Sequence, residues 1–287
     1  MTGIMRCCWK ITKIRSGHPS TTVRNRQERR KMSVWSWLER ACRYHLIWRT
    51  SCPLSFIPAD GIIIRSDASQ EVNDLIAEAK EQDIPVVSVI DDYSGQTQDY
   101  VGVSSYDVGQ AYGQLVLDLQ KTDEVQKVTI LQTAEDSENT IRSVEASLLE
   151  VLPDEIALDR KIIEGSDTFS IEENIQDFIL SEDAPDVLIC MSTVSAICAY
   201  HIVVDCNRVG DIQLLVNYAT GEILDAIEKG GIFASVSLDT QKLGSSCVQC
   251  LDDLVCEGKK SSYRSIPLKV ITIDNVAEYR STLEGTQ

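Results

Sequence analysis

Gly61-Ile-Ile-Ile-Arg65 is followed by Val72, Leu75, Ile76 and Ala79 at helical spacing, and then by Ile84-Pro-Val-Val-Ser-Val-Ile90. Short uninterrupted apolar runs suit strands buried on both faces, and the i, i+3, i+4 recurrence between them suits a covering helix. Strand, helix, strand in this order is the unit of a parallel α/β sheet.

The unit repeats downstream. Tyr100–Val103, Val128–Gln132, Lys161–Glu164, Asp186–Met191, Ile212–Tyr218, Ile232–Leu238 and Leu268–Ile273 read as strands, giving nine with the first two. Val108, Tyr112, Leu115, Val116 and Leu119 form one helix face, Ile141, Leu148, Leu149 and Leu152 another, and Ile171, Ile175, Phe178 and Ile179 a third. Further helices start near Thr193, Gly221 and Thr240. Nine strands exceed the comfortable content of one sheet, so two α/β lobes are expected, with a ligand beyond the carboxyl ends of their strands.

The chain of 287 residues is 43 % apolar and 25 % charged, the composition of a globular protein with one large domain or two ordinary ones. Its net charge of −17 conceals two compositions. Residues 1–58 carry 12 Lys/Arg against 2 Asp/Glu, a net of +10, and all four Trp, leaving 15 basic and 42 acidic residues, a net of −27, for residues 59–287. An acidic body of that size repels nucleic acid and anionic lipid, so no nucleic acid binding is expected through residues 59–287. The sequence shows no apolar run of membrane-spanning length and no signal peptide, and as written reads as cytoplasmic.

Several chemistries lack their residues. No Gly-x-Gly-x-x-Gly follows a strand, and Gly102, Gly109 and Gly113 are too widely spaced to cradle a pyrophosphate, so no nucleotide cofactor is expected. His201, the single His after residue 58, lies at helical spacing from Ile197 and Val194 as a half-buried imidazole rather than a general base. Cys247 and Cys250 form Cys-x-x-Cys within an amphipathic helix, without a second pair at zinc spacing. With Cys190, Cys198 and Cys206 they read as packing thiols. Neither a catalytic residue nor a metal ligand is assigned, and no cofactor.

What remains is polar residues at strand ends: Arg65 and Asp67, Asp91 and Asp92, Ser192 and Thr193, Tyr218, and Asp239, with Arg142 in the first turns of a helix. Asp, Ser and Thr in such places are ordinary helix N-caps, and Ser69 and Asp67 are read so. Asp91 and Asp92 together leave several acceptor lone pairs for hydroxyl or ammonium donors, and with an Arg they would clamp a polyol.

The runs Ala59-Asp-Gly-Ile-Ile-Ile, Asp83-Ile-Pro-Val-Val-Ser-Val-Ile-Asp-Asp92, Tyr100-Val-Gly-Val with Gly109, Ala184-Pro-Asp-Val-Leu-Ile-Cys190, Glu222–Val236 with Gly244, and Ile266-Pro-Leu-Lys-Val-Ile-Thr-Ile-Asp-Asn275 stand in consistent order over residues 59–280. In this they resemble the sugar-type periplasmic binding proteins, the substrate-binding components of ABC importers, which share their fold with LacI-type effector domains. The resemblance implies two Rossmann-like lobes joined by three crossovers, residues 59–105 and 239–265 in one and 106–238 and 266–282 in the other. A ligand would be enclosed between them by hinge closure. It further implies a non-catalytic protein, an extracytoplasmic location, a sugar or polyol ligand, and an ABC permease or membrane sensor as partner. Asp91 or Asp92, and Arg142, would meet sugar hydroxyls.

Three positions depart from the family pattern. An Asn-Asp pair is replaced by Ser192-Thr193, a Gly-x-Asp by Val216-Asn-Tyr218, and a hinge Gln by Leu238. Losing those groups removes hydrogen bonds that a simple pyranose requires. The effector-binding half of a transcription regulator is the alternative function, and an enzyme on the same scaffold a third.

The family's fold needs a strand–helix–strand–helix before Gly61, and residues 1–58 do not read that way. Three accounts compete: a nucleic acid-binding arm, a basic amphipathic helix lying on a membrane, and a misphased or foreign translation of the gene's start. On the third account the first lobe lacks a central strand, and the chain is expected to be poorly stable and weakly competent for binding.

Overall fold

The structure, a computed structural model, describes residues 61–64, 70–90, 99–134, 136–165, 167–257 and 263–284. Expectations for residues 1–58, and for Arg65, Asp67, Ser69, Asp91 and Asp92, lie outside these. The chain divides into two compact units, one from the part up to Val103 with Asp239–Pro267, the other from Ser104–Leu238 with Leu268–Gln287.

In the first unit β1 (Ile62–Ile64), β2 (Val86–Ile90), β3 (Asp99–Gly102) and β9 (Tyr263–Ser265) form a parallel sheet in the order β1-β2-β3-β9. Helix α1 (Gln70–Glu81) turns Ile76 and Ala79 onto Ile62 and Val86, the spacing read from the sequence. Helix α7 (Thr240–Glu257) packs on β1, β2 and β3. Gly61 lets α7 pack close, since a Cβ there would stand 2.4 Å from Leu251 Cδ1 and that side chain would have to shift.

The second unit holds β4 (Lys127–Gln132), β5 (Ala157–Ile162), β6 (Val187–Cys190), β7 (Gln213–Asn217), β8 (Ala234–Leu238) and β10 (Leu268–Thr272), ordered β10-β8-β7-β6-β4-β5. The helices are α2 (Ser105–Leu119), α3 (Glu138–Val151), α4 (Thr168–Leu180), α5 (Thr193–Asp205), α6 (Gly221–Glu228) and α8 (Val276–Glu284). Five strands run parallel, and β10 pairs antiparallel with β8.

Side chains alternate across this sheet. Leu131, Leu188, Cys190, Leu214 and Val216 join Ile175, Ile179, Ala199, Val203 and Ile223 of α4, α5 and α6 in one core. The intervening Val128, Ile130 and Ile189 are also fully buried, and α2 and α3 supply Tyr112, Val116, Ile141 and Leu148. Each fully buried Ile or Leu contributes about 1.5–3 kcal/mol. This explains why the central strands read as continuous apolar runs.

Two expectations are corrected. The fifth strand is Ala157–Ile162, not Lys161–Glu164, and a tenth, β9, was not foreseen. Both are edge strands rich in polar residues, exposed on much of their surface, and so they lack the apolar signature of a buried strand.

Candidate functional site

In the second unit the carboxyl ends of β4, β6 and β7 stand side by side. Leu131 is in register with Cys190, and Cys190 with Val216, so Gln132-Thr133, Met191-Ser192 and Asn217-Tyr218 emerge together. Helices α3, α5 and α6 begin just beyond these strand ends.

Most of the polar residues here serve the fold first. Ser192 caps α5, its Oγ accepting from Ser195 N at 3.1 Å, and Thr220 caps α6, accepting from Ile223 N at 3.3 Å. Asp136 Oδ2 accepts from Thr133 N at 2.7 Å and from Thr133 Oγ1 at 2.9 Å, closing the turn after β4. Thr193 opens α5, half-buried. Asp239, counted with the first unit, accepts from Lys242 N at 2.9 Å at the start of α7. The capping expected of such residues is therefore present, and a ligand would use their remaining lone pairs.

Tyr218 is held in an unusual conformation. Its φ of +69° is left-handed, a region costly for a bulky side chain. Its N–H donates to Val236 O at 3.1 Å, and Ser235 Oγ donates to its carbonyl. The strand pairing between β7 and β8 thus fixes the strain at the strand end.

Arg142 lies one turn into α3, its side chain 71 % exposed, with Nε donating to Glu138 Oε1 at 2.8 Å. The same oxygen accepts from Arg160 at 2.9 Å, and Glu138 Oε2 accepts from Gln132 Nε2 at 3.1 Å. These hydrogen bonds, the one from Gln132 foremost, followed by Arg160 and Arg142, lower the Glu138 carboxyl to a pKa of about 2. The carboxylate is a fixed charge at ordinary pH.

Four residues at this end were not singled out from the sequence. Gln132 and Glu138 are two, and Phe169, in the first turn of α4 beyond β5, is 73 % exposed and offers a flat apolar ring. The fourth is Tyr112 on α2, fully buried, whose hydroxyl has no hydrogen-bond partner among the described residues. Burial pushes its phenol well above the usual range, and the groups of Cys190, Tyr218 and Asp136 add to the shift. A Tyr within an otherwise aliphatic helix face was the signal, because a buried phenol ordinarily needs a partner.

Elsewhere, a surface cleft of about 590 Å³ lies among α4, α5 and α6, lined by Glu172, Asp205, Glu222 and Asp225 with His201 and Lys229. His201 Nε2 is 3.2 Å from Glu222 Oε1. None of the residues with an orphaned buried polar atom lines this cleft. The strand ends are therefore the stronger candidate, as the general rule for open α/β sheets also holds. What they present is hydroxyls, amides and an aromatic surface, together with carboxylates already paired to Arg142, Arg160 and Thr133, chemistry suited to a polar solute.

Residues 58–260 match the model of a family described as periplasmic binding protein domain. No curated protein matches the chain. Among solved structures, the arabinose binding protein AraP from Geobacillus stearothermophilus is similar, with a TM-score of 0.67 at 18 % identity over 77 % of this chain and 79 % of that one. The sugar-binding protein of a sugar ABC transporter from Bacillus halodurans gives 0.67 at 16 % identity over 85 % and 83 %. A putative LacI transcriptional regulator from Bacteroides fragilis gives 0.62 at 12 % identity over 77 % and 78 %.

Proposed function

Because the chain belongs to the periplasmic binding protein family, we propose that it is a non-catalytic solute-binding protein whose ligand is a sugar or polyol. The observation that carries this reading is the row of strand ends in the second unit: Ser192, Thr193 and Tyr218 follow the adjacent strands β6 and β7, the exposed ring of Phe169 follows β5 on the same side of the sheet, and the hydroxyl of Tyr112, unpartnered among the described residues, is within electrostatic reach of Tyr218. Hydroxyl donors and acceptors at strand ends, with an exposed aromatic ring on the same side of the sheet, match a solute with many hydroxyls. The sugar-binding names of the similar structures support the same ligand class.

The proposed contacts are Arg142, Ser192, Thr193 and Tyr218 on the second unit, and Arg65, Asp91, Asp92 and Asp239 on the first. Arg142 would have to be shared with Glu138. The proposed setting is extracytoplasmic, with an ABC permease or a membrane sensor receiving the loaded protein. No bond is made or broken in this function. Binding acts by shifting the protein toward its liganded conformation.

Thermal-shift measurements against sugars, polyols and furanosyl compounds test the reading, since a ligand that binds the folded state alone raises the melting point. A hit that shifts the wild type, and shifts Ser192→Ala and Tyr218→Ala less, is the expected result. Absence of any hit, or equal shifts in the variants, overturns it.

The alternative is the effector-binding domain of a LacI-type regulator. The net +10 of residues 1–58 ahead of the acidic remainder favours it. Sub-micromolar, salt-sensitive binding of duplex DNA by the full chain would support the regulator, and none is expected of the importer component.

A further inference from the structure

Tyr112 and Gln132 share an unexplained feature. The Tyr112 hydroxyl and Gln132 Oε1 are both buried polar atoms with no hydrogen-bond partner among the described residues. Leaving such a group unsatisfied forfeits its hydration without return, so a pair of them in one unit calls for an explanation.

Gln132 is the last residue of β4, and its Nε2 is held by Glu138 of α3. Tyr112 belongs to α2, which packs against α3 and against β8 and β10. Both side chains therefore lie in the layer between the sheet and the α2–α3 pair. Asp136, in the turn that leads from β4 to α3, is within electrostatic reach of the Tyr112 hydroxyl.

The Gln132 amide cannot be turned round. Flipping it would set Oε1 against the Glu138 carboxylate, which stays ionised because Arg142 and Arg160 donate to it. The acceptor therefore points away from Glu138, in the same layer as a phenol that can both donate and accept.

We propose that the Tyr112 hydroxyl and Gln132 Oε1 form a polar floor beneath the strand ends, which a ligand hydroxyl engages through one bridging water. This rests on the sugar-binding reading above and adds a specificity element to it. A water there would have three partners, the number typical of a buried water: Tyr112, Gln132 and the ligand. The floor selects a hydroxyl at that position over a deoxy or methoxy group, because Oε1 needs a donor and the water must be anchored on the ligand side.

Tyr112→Phe tests this by removing one oxygen and nothing else. The control is Thr129→Val, since Thr129 Oγ1 is likewise buried and unpartnered among the described residues but, two residues from Leu131, shares its sheet face, opposite to that of Gln132. The probes are D-ribose, D-xylose, L-arabinose, D-glucose and D-galactose, each measured by calorimetric titration and thermal shift on the full chain. Both variants should melt at or above the wild-type temperature without sugar, because neither deleted hydroxyl has a partner among the described residues. With the sugar that binds wild type, Tyr112→Phe should weaken affinity about tenfold and Thr129→Val should leave it unchanged. Equal affinity of wild type and Tyr112→Phe overturns the floor alone. A large drop in the sugar-free melting point of Tyr112→Phe also overturns it, by showing a partner within the fold. If no sugar in the panel moves the wild type, the functional reading fails and the floor with it.

Discussion

Arg142 is tied to Glu138 one helical turn earlier, Nε to Oε1 at 2.8 Å, and Arg160 donates to the same oxygen at 2.9 Å. A guanidinium that the family resemblance assigns to a solute thus has a carboxylate partner within its own helix. Any solute that takes it must offer as much as Glu138 does, or share it. The carboxylate in turn orients Gln132, so one acidic residue sets the geometry of two neighbours at the end of β4.

Glu138 makes stability depend on pH in a defined direction. Its carboxyl is lowered from an ordinary value of 4.5 to about 2. A depressed carboxyl stabilises the fold fully above its unfolded pKa, and the contribution is lost as pH falls from about 4.5 toward 2. Thermal midpoints of wild type and Glu138→Gln should therefore differ most near pH 7 and converge as pH approaches 2. A gap that persists unchanged at pH 2.5 would contradict the assignment.

Gly109 sets the spacing of α2 and α3. A Cβ there would meet Val144 O at 2.6 Å and Ser147 Cβ at 2.7 Å. Alanine favours a helix over glycine by up to about 1 kcal/mol, but a backbone carbonyl cannot retreat as a flexible side chain can. The clash should win, and Gly109→Ala should lose about 1–3 kcal/mol in urea unfolding. A stabilised variant would show that the two helices are not held this close.

Tyr218 tests whether strain is retained for binding. Replacing it with Asn, which tolerates a positive φ, relieves roughly 1–2 kcal/mol while losing the burial of a half-exposed ring. Net stability should change by less than about 1 kcal/mol. The thermal shift produced by a bound sugar should fall sharply all the same. Unchanged binding by Tyr218→Asn would remove this residue from the site.

The sequence disclosed the fold wherever burial was complete. Val187-Leu-Ile-Cys190 is covered on both faces and can be apolar throughout, whereas Ala157-Leu-Asp-Arg-Lys-Ile162 and Tyr263-Arg-Ser265 sit at sheet edges and look like loops. At the site, the position of Ser192, Thr193 and Tyr218 beyond strand ends followed from strand order alone. The pairing of Glu138 with Arg142 follows an i, i+4 spacing, a signal from which Glu138 was not singled out. Tyr112 escaped because its ring belongs to a helix face otherwise built for packing, and the state of its hydroxyl depends on three-dimensional neighbours that spacing does not report.

The cysteines offer a test of the non-redox reading of Cys-x-x-Cys. Cys247 and Cys250 lie on the buried side of α7, and burial, with the neighbouring Cys250 adding to it, pushes the Cys247 thiol up to about 12. Cys198 is raised to about 11 by burial and the nearby Glu172, and Cys190 is pushed higher still by burial. Since the thiolate is the nucleophile, these groups should react slowly at pH 8, where on the order of one in a thousand or fewer is ionised. Iodoacetamide labelling followed by peptide mapping should leave Cys190, Cys198, Cys247 and Cys250 unmodified in the native protein, and modify all four in urea. Rapid native labelling of Cys247 or Cys250, or their recovery as a disulfide after mild oxidation, would mean that α7 exposes a reactive pair and that packing is not their role.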